Sequence, residues 1–282
     1  MNYQWYPGHM TKAVRMMKEQ IGLIDLIIEL VDARIPLSSR NPDIDELGKN
    51  KFRIILLNKS DLADPSMNKK WAEYFSQKGF FVLEINSKSG EGMKKIAPLV
   101  SECCKEKIER DRKRGIKNRP IRAMVCGIPN VGKSTFINAF VGKACTKTGN
   151  KPGVTKGKQW IRVNPTLELL DTPGILWPKF EDQMVGMRLA FIGSMNDEVV
   201  QITELAMDLI TVLRDLYPGN IEKRYGVSEV GKPEEVLENI GKARGALKKG
   251  QEIDFEKAAM LLVDDYRSGK IGRFTLEQEF PE

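Results

Sequence analysis

One segment of the chain has the residue types that bind the phosphates of a nucleoside triphosphate. Residues 127–134 read GIPNVGKS, which fits the pattern GxxxxGKS. In that pattern backbone N–H groups close around the phosphates, the lysine neutralises their oxygens, and the serine hydroxyl holds Mg²⁺. We therefore predict a triphosphate site lined by Asn130, Val131, Gly132, Lys133, Ser134 and Thr135, with Ser134 as a Mg²⁺ ligand.

A second segment has the residue types that select guanine. Residues 58–61 read NKSD, the pattern NKxD. The carboxylate of Asp61 can accept two hydrogen bonds from guanine, whose N1–H and amine form a donor pair that adenine does not present. Asn58 would brace the loop and the stem of Lys59 would cover the ring. Residues 86–90, NSKSG, resemble the SAKxG loop that lines guanine O6, which adds Ser87 to the predicted site.

A third segment, DTPG at residues 171–174, is typical of the switch that senses the third phosphate. Asp171 is predicted to reach Mg²⁺, usually through water, and Gly174 to offer its N–H to the γ-phosphate. Between this segment and the phosphate loop, Thr155 is the candidate for the threonine that coordinates Mg²⁺ only when the γ-phosphate is present. Thr148 is the alternative, and we favour Thr155 because PGVT leads directly into the apolar run 159–163.

Short apolar runs precede these loops and predict the strands that position them. Strands are expected at 24–31, 53–57, 80–85, 121–126, 159–163 and 167–170, with helices at 10–22, 68–78 and from about Glu91 into a basic run. Strands that alternate with helices indicate a doubly wound, mainly parallel α/β sheet with the nucleotide over its carboxyl ends. This domain is predicted to span residues 1–177. Helical spacing without strand alternation predicts a small all-α domain over 178–282.

Composition limits the classes of protein. Four cysteines without a CxxC pair, and a single histidine, predict neither a zinc site nor a disulfide framework. No signal peptide or membrane segment is recognisable, so a cytoplasmic location without membrane partners is expected. The net charge of +7 is uneven, at +13 over residues 1–177 and −6 over 178–282. The basic stripes at 105–122 and 143–162 suit RNA, although 105–122 also fits a solvated helix end plus a linker.

The order of the motifs is the reverse of that in ordinary GTPases, because NKxD precedes the phosphate loop, and this predicts a circularly permuted GTPase. Residues 5–10 (WYPGHM), DARIP at 32–36, then NKSD, GIPNVGKS, PGVT and DTPG, together with the helical C-terminal part, resemble the YlqF/RbgA group, ribosome biogenesis GTPase A. The resemblance implies a factor in late assembly of the large bacterial ribosomal subunit, whose C-terminal domain helps to bind rRNA. It implies GTP hydrolysis, nucleotide-switched affinity for the precursor particle, and a monomer off the ribosome. The alternative is a nucleotide-regulated binding protein for another partner, such as a tRNA-modification or signalling complex.

The sequence also bears on the rate of hydrolysis. Ile175 follows DTPG where many GTPases place a glutamine that orients the attacking water, so slow hydrolysis stimulated by the particle is expected. His9 is the candidate for the missing group, as the resemblance implies, and the alternative is that it packs against or caps the first helix. Asn130 resembles the asparagine that helps to bind K⁺ in potassium-activated GTPases, and the alternative is an ordinary loop asparagine.

Overall fold

The computed structural model describes residues 8–116, 119–142, 159–177, 180, 182–196 and 200–281, with the side chains of residues 8, 9 and 159 outside the description. These residues divide into two compact units. One is the segment Phe180–Leu276. The other comprises the described residues before position 178 together with those from Glu277 onward.

The larger unit is built on a six-stranded sheet. Its strands are β1 (Leu26–Asp32), β2 (Phe52–Asn58), β3 (Phe81–Glu84), β4 (Ile121–Cys126), β5 (Gln159–Asn164) and β6 (Leu167–Asp171). Their order across the sheet is β3-β2-β1-β4-β6-β5. All neighbours are parallel except β5, which runs antiparallel to β6. The predicted mainly parallel α/β sheet is confirmed. β1, in the middle of the sheet, is covered on both faces, since each of its residues is buried.

Six helices of this unit fall within the described residues. They are α1 (Gly8–Gln20), α2 (Pro42–Leu47), α3 (Pro65–Gln77), α4 (Ile96–Cys103), α5 (Lys105–Lys113) and α6 (Lys133–Val141). The helix predicted from about Glu91 was placed too early, because Gly90 and Gly92 adopt φ of 85° and 80°, which an α-helix cannot contain. A 3₁₀ turn at Met93–Lys95 follows, and α4 begins at Ile96. Helix α2 was not predicted from the sequence.

The last residues of the chain belong to the α/β unit and not to the helical one. The Glu277 carboxylate accepts hydrogen bonds from the backbone N–H of Leu37 (2.6 Å) and of Ser38 (2.9 Å), and from the Ser38 hydroxyl. Its carbonyl accepts the indole N–H of Trp71 at 2.9 Å, and the Phe280 ring lies 4.6 Å from the Trp71 ring. We call residues 277–281 the C-terminal tail.

The helical unit contains α7 (Gln183–Phe191), α8 (Ile202–Leu216), α9 (Asn220–Tyr225), α10 (Pro233–Ala243) and α11 (Phe255–Arg267). Buried leucine, isoleucine and valine side chains line the inner faces of α8, α10 and α11, as their helical spacing predicts. A buried carboxylate, Asp265, pairs with Arg224 at 2.9 Å and with Lys270 at 3.2 Å. No helix in the described parts of the chain has the length and apolarity that crossing a membrane requires.

Candidate nucleotide site

The phosphate-binding pattern lies where its chemistry requires, in the loop from β4 to α6. Gly132 has φ of 101°, and a Cβ there would lie 2.6 Å from the Asn58 side-chain nitrogen. A Cβ on Gly127 would lie 2.5 Å from the Leu30 carbonyl oxygen. Both positions therefore require glycine, because any side chain would push the loop away from its neighbours. Ser134 and Thr135 follow in the first turn of α6, whose N-terminus faces this loop.

The lysine of the motif is held inside the loop. Lys133 is buried, and its Nζ donates hydrogen bonds of 3.0 Å to the carbonyls of Gly127 and Ile128. Burial lowers the pKa of Lys133 to about 8, and the charge of Asp171 opposes that shift. The ammonium is thus placed at the centre of the loop that would surround the phosphates.

The DTPG segment leaves β6 beside the phosphate loop. Asp171 is buried, and its Oδ1 has no hydrogen-bond partner among the described residues. Burial raises the pKa of Asp171 to about 6, opposed by Lys133 and by the Thr172 N–H. A Cβ on Gly174 would lie 2.8 Å from Pro129 Cα and 3.0 Å from Lys133 Nζ, so this glycine packs directly on the loop.

The donor set suits Mg²⁺, which prefers oxygen ligands. A buried carboxylate oxygen without a partner is costly unless another group satisfies it, and Asp171 Oδ1 is such an atom. Together with the hydroxyl of Ser134, it supplies the two kinds of oxygen with which phosphate-loop proteins hold the ion. Ile175, the next residue after DTPG, is buried and offers no side-chain hydrogen bond to water.

The NKSD segment is fastened to the phosphate loop by two side chains. Asn58 is buried, and its Nδ2 donates to the Val131 carbonyl at 2.7 Å. Its Oδ1 accepts from the backbone N–H of Ser87 at 3.1 Å and from the Ser87 hydroxyl at 2.8 Å. Asn58 therefore ties together three loops that leave β2, β3 and β4.

Lys59 forms the second bridge. The backbone of Lys59 is in the left-handed conformation, with φ of 57°. Its Nζ donates to the Asn130 carbonyl at 2.8 Å. Asn130 is itself left-handed, with φ of 58°. Asp61 follows in the 3₁₀ turn Ser60–Leu62 and is partly exposed. The loops that contain the predicted base-reading and phosphate-binding residues are thus joined to one another at the carboxyl ends of the parallel strands.

Asp32, which contacts the NKSD loop, and Arg34, which contacts Asp32, both lie in the DARIP segment, and no role in the site was predicted for them. Asp32, fully buried at the end of β1, accepts from Lys59 Nζ at 2.9 Å and from the Nε and Nη2 of Arg34, both at 2.8 Å. Burial alone would raise the pKa of Asp32, but the charges of Arg34 and Lys59 outweigh it and hold that pKa far below its usual range. The sequence pattern of the DARIP segment does not predict this contact with NKSD.

Some predicted residues lie outside the description. The backbone of His9 is in α1, but its side chain is not described, and Thr148 and Thr155 fall within the undescribed segment 143–158. Their predicted roles remain predictions.

Comparison with known proteins agrees with this geometry. The family model described as 50S ribosome-binding GTPase matches residues 122–247. A protein named ribosome biogenesis GTPase A from Bacillus cereus is 48% identical over 99% of this chain and 95% of its own length. The protein of the same name from Bacillus licheniformis is also 48% identical, over 98% of both chains.

Solved structures give the same result. GNP-bound YlqF from T. maritima has a TM-score of 0.69 and 29% identity, and the similarity covers 94% of this chain and 97% of that one. A GDP-bound structure of YlqF has a TM-score of 0.68, with coverage of 93% and 97%. The identity over nearly the whole of both chains shows that this protein belongs to the ribosome biogenesis GTPase A family, whose members bind guanine nucleotides and hydrolyse GTP.

Proposed function

We propose that this GTPase acts in late assembly of the large ribosomal subunit, and that its nucleotide state switches its affinity for the precursor particle. The observation that carries the nucleotide part is the pair of bridges from Asn58 and Lys59 to the phosphate loop, which makes base and phosphate recognition one site. The ribosomal part is supported by the names of relatives 48% identical over nearly the whole chain, and by a charge of +13 over residues 1–177.

We further infer that the domain is circularly permuted. In chain order the base-reading strand β2 precedes the phosphate-loop strand β4, whereas ordinary GTPases have the phosphate loop first. Both strands nevertheless flank β1 in one parallel sheet. The base-reading loop after β2 and the phosphate loop after β4 therefore meet at the same edge of the sheet, whichever of the two comes first in the chain.

Each side chain has a role that its placement supports. Lys133 binds the β and γ phosphates from inside the loop, and the N–H of Gly174 reaches the γ-phosphate because that glycine packs on Pro129 and the lysine. Asp61 accepts the two guanine donors, while Asn58 and Ser87 keep its loop in place. Val131, Gly132 and Thr135 complete the phosphate contacts.

Ser134 and Asp171 would hold Mg²⁺, joined by Thr155 in the triphosphate state. When bound, the ion neutralises charge that develops on the phosphates. Asn130 would add a K⁺ site.

Hydrolysis needs a group that orients water, and the buried Ile175 does not supply it. His9 is the single histidine of the chain, and its neutral imidazole orients water or accepts its proton near neutral pH. Turnover is slow alone and faster on the ribosomal particle. The helical unit adds contacts to rRNA.

Sedimentation of cell extract tests the ribosomal role. With a non-hydrolysable GTP analogue the protein should co-migrate with large-subunit particles, and with GDP it should remain in the light fractions. Equal distribution in the two nucleotides, or co-migration with another complex, would contradict the proposal. The second outcome would favour a nucleotide-regulated protein with a different partner.

A further inference from the structure

The ammonium of Lys59 pairs with a buried carboxylate, that of Asp32. The NKxD lysine covers the guanine ring with an aliphatic stem, and a lysine stem is flexible unless its head is held. Here the head is held from two sides, by the Asn130 carbonyl at 2.8 Å and by the Asp32 carboxylate at 2.9 Å. The lysine side chain retains 24% of its exposure, whereas the Asp32 side chain retains none.

The sheet register brings Asp32 to this position. β1 and β2 are parallel, and Asp32 is the register partner of Asn58, the residue before Lys59. The Ala33 N–H donates to the Asn58 carbonyl at 2.9 Å, so the pairing continues beyond the strand end. A carboxylate at this register position therefore faces the start of the NKSD loop.

Arg34 keeps the carboxylate ionised and oriented. It donates from Nε to Oδ1 and from Nη2 to Oδ2, and its backbone N–H adds a bond of 3.2 Å to Oδ1. Arg34 is itself buried. This bidentate interaction fixes the plane of the carboxylate and directs Oδ2 at Lys59.

We propose that Asp32 is a positioning residue for guanine-nucleotide binding, which acts through Lys59 by fixing its ammonium between the DARIP loop and the phosphate loop. The proposal depends on the assignment of Lys59 to the guanine ring made above. On this proposal the DARIP segment contributes to nucleotide affinity in addition to any structural role. Because the contact is made to bound nucleotide in either state, affinity for GDP should change as much as affinity for GTP.

A double-mutant cycle on the full-length protein tests this, with fluorescent GDP as the probe and its dissociation rate and Kd as readouts. Lys59→Ala should weaken GDP binding at least about 10-fold, and Asp32→Asn should weaken it about 10-fold. In the Lys59→Ala background, Asp32→Asn should change Kd less than about twofold. Additive effects would overturn the proposal, since Asp32 would then act by another route.

Two further variants separate positioning from folding. Asp32→Asn removes the carboxylate that balances the buried Arg34 charge, so D32N/R34M removes both charges together, a change that folded proteins tolerate better. Glu29→Gln is the matched control, because Glu29 is a buried carboxylate on the same strand whose ion pairs are with Arg40 and Arg53 and not with Lys59. Urea denaturation of each variant gives its stability.

The expected result is weakened GDP binding in D32N/R34M and unchanged binding in Glu29→Gln, whatever the stability of either. A folded D32N/R34M with wild-type GDP affinity would overturn the proposal. So would equal loss of affinity in Glu29→Gln, which would reveal a general effect of instability. If Lys59→Ala itself binds GDP normally, the assignment of the guanine site fails and not the Asp32 contact alone.

Discussion

Glu277 in the C-terminal tail offers a direct test of how the chain end is held. Its buried carboxylate accepts from two backbone N–H groups, of Leu37 and Ser38. Glu277→Ala removes the carboxylate that accepts from both donors, and the loss of an acceptor costs about 1–3 kcal/mol for each buried donor that stays unsatisfied. Because the tail can shift and admit water, we expect the free energy of unfolding of the α/β unit to fall by about 2–4 kcal/mol.

Urea denaturation followed by tryptophan fluorescence suits this prediction, because Trp71 is fully buried and donates to the Glu277 carbonyl. Glu279→Ala is the matched control. Glu279 is two residues away in the same tail and is exposed, so its loss should change stability by less than about 0.5 kcal/mol. A shift of tryptophan emission before the main transition in Glu277→Ala, absent from Glu279→Ala, would report detachment of the tail from Trp71.

The reasoning would be refuted if both variants lost the same stability, or if Glu277→Ala unfolded at the wild-type urea concentration. Either result would mean that the hydrogen bonds of the Glu277 carboxylate make no specific contribution to the stability of the unit. A tail deletion after Leu276 then provides the reference, since it removes the ring contact as well.

Four further predictions concern the site and the helical unit. Asp61→Asn should shift preference from GTP toward XTP in competition binding, because an amide N–H₂ would face the guanine donors; unchanged GTP preference would contradict the assignment. Lys133→Ala and Ser134→Ala should each lose Mg²⁺-dependent binding of a GTP analogue, and retention in both would exclude the phosphate site. His9→Ala should keep GTP affinity but lower particle-stimulated single-turnover hydrolysis about 10²–10⁴-fold, whereas turnover within about threefold of wild type would leave the particle or K⁺ as the source of rate. Burial would raise the pKa of Asp265, but hydrogen bonds from Arg224 and Lys270 lower it below its unfolded value, so the stability it contributes is present at neutral pH and is lost as pH falls through the folded pKa. Asp265→Asn should therefore flatten the acid side of the stability–pH curve of the helical unit, and an unchanged curve would exclude the contribution.

The sequence predicted those parts of the molecule that depend on local patterns. Apolar runs of strand length predicted six strands, and motifs after four of them predicted the loops that carry the chemistry. The loops had to meet because parallel strands place their carboxyl ends at one edge. The missed helix α2 had a readable signal as well, with Asn41 as its N-cap, Pro42 at its first position and Asp43 in its first turn.

The contacts that the sequence did not predict join residues far apart in the chain. Lys59 reaches Asn130, and Glu277 reaches Ser38 across 239 positions. Asp32 and Lys59 are brought together by strand register, which no single strand specifies. A buried carboxylate also gives no periodic signal, since its burial is made possible by partners that only the fold supplies.

The strand order divides the sheet into two parts of the chain, and this has a consequence for synthesis. β1, β2 and β3 form one half of the sheet and precede β4, β5 and β6, with β1 and β4 meeting in the middle. At about 5–20 residues per second, the roughly 66 positions from Asp61 to Gly127 take about 3–13 s to translate. During that interval the nascent chain carries the guanine-reading loop, while the edge of β1 that later pairs with β4 is still bare. Nucleotide binding cannot stabilise this half until the phosphate loop emerges, so a translational pause between residues 61 and 127 should expose an unpaired strand edge to chaperones.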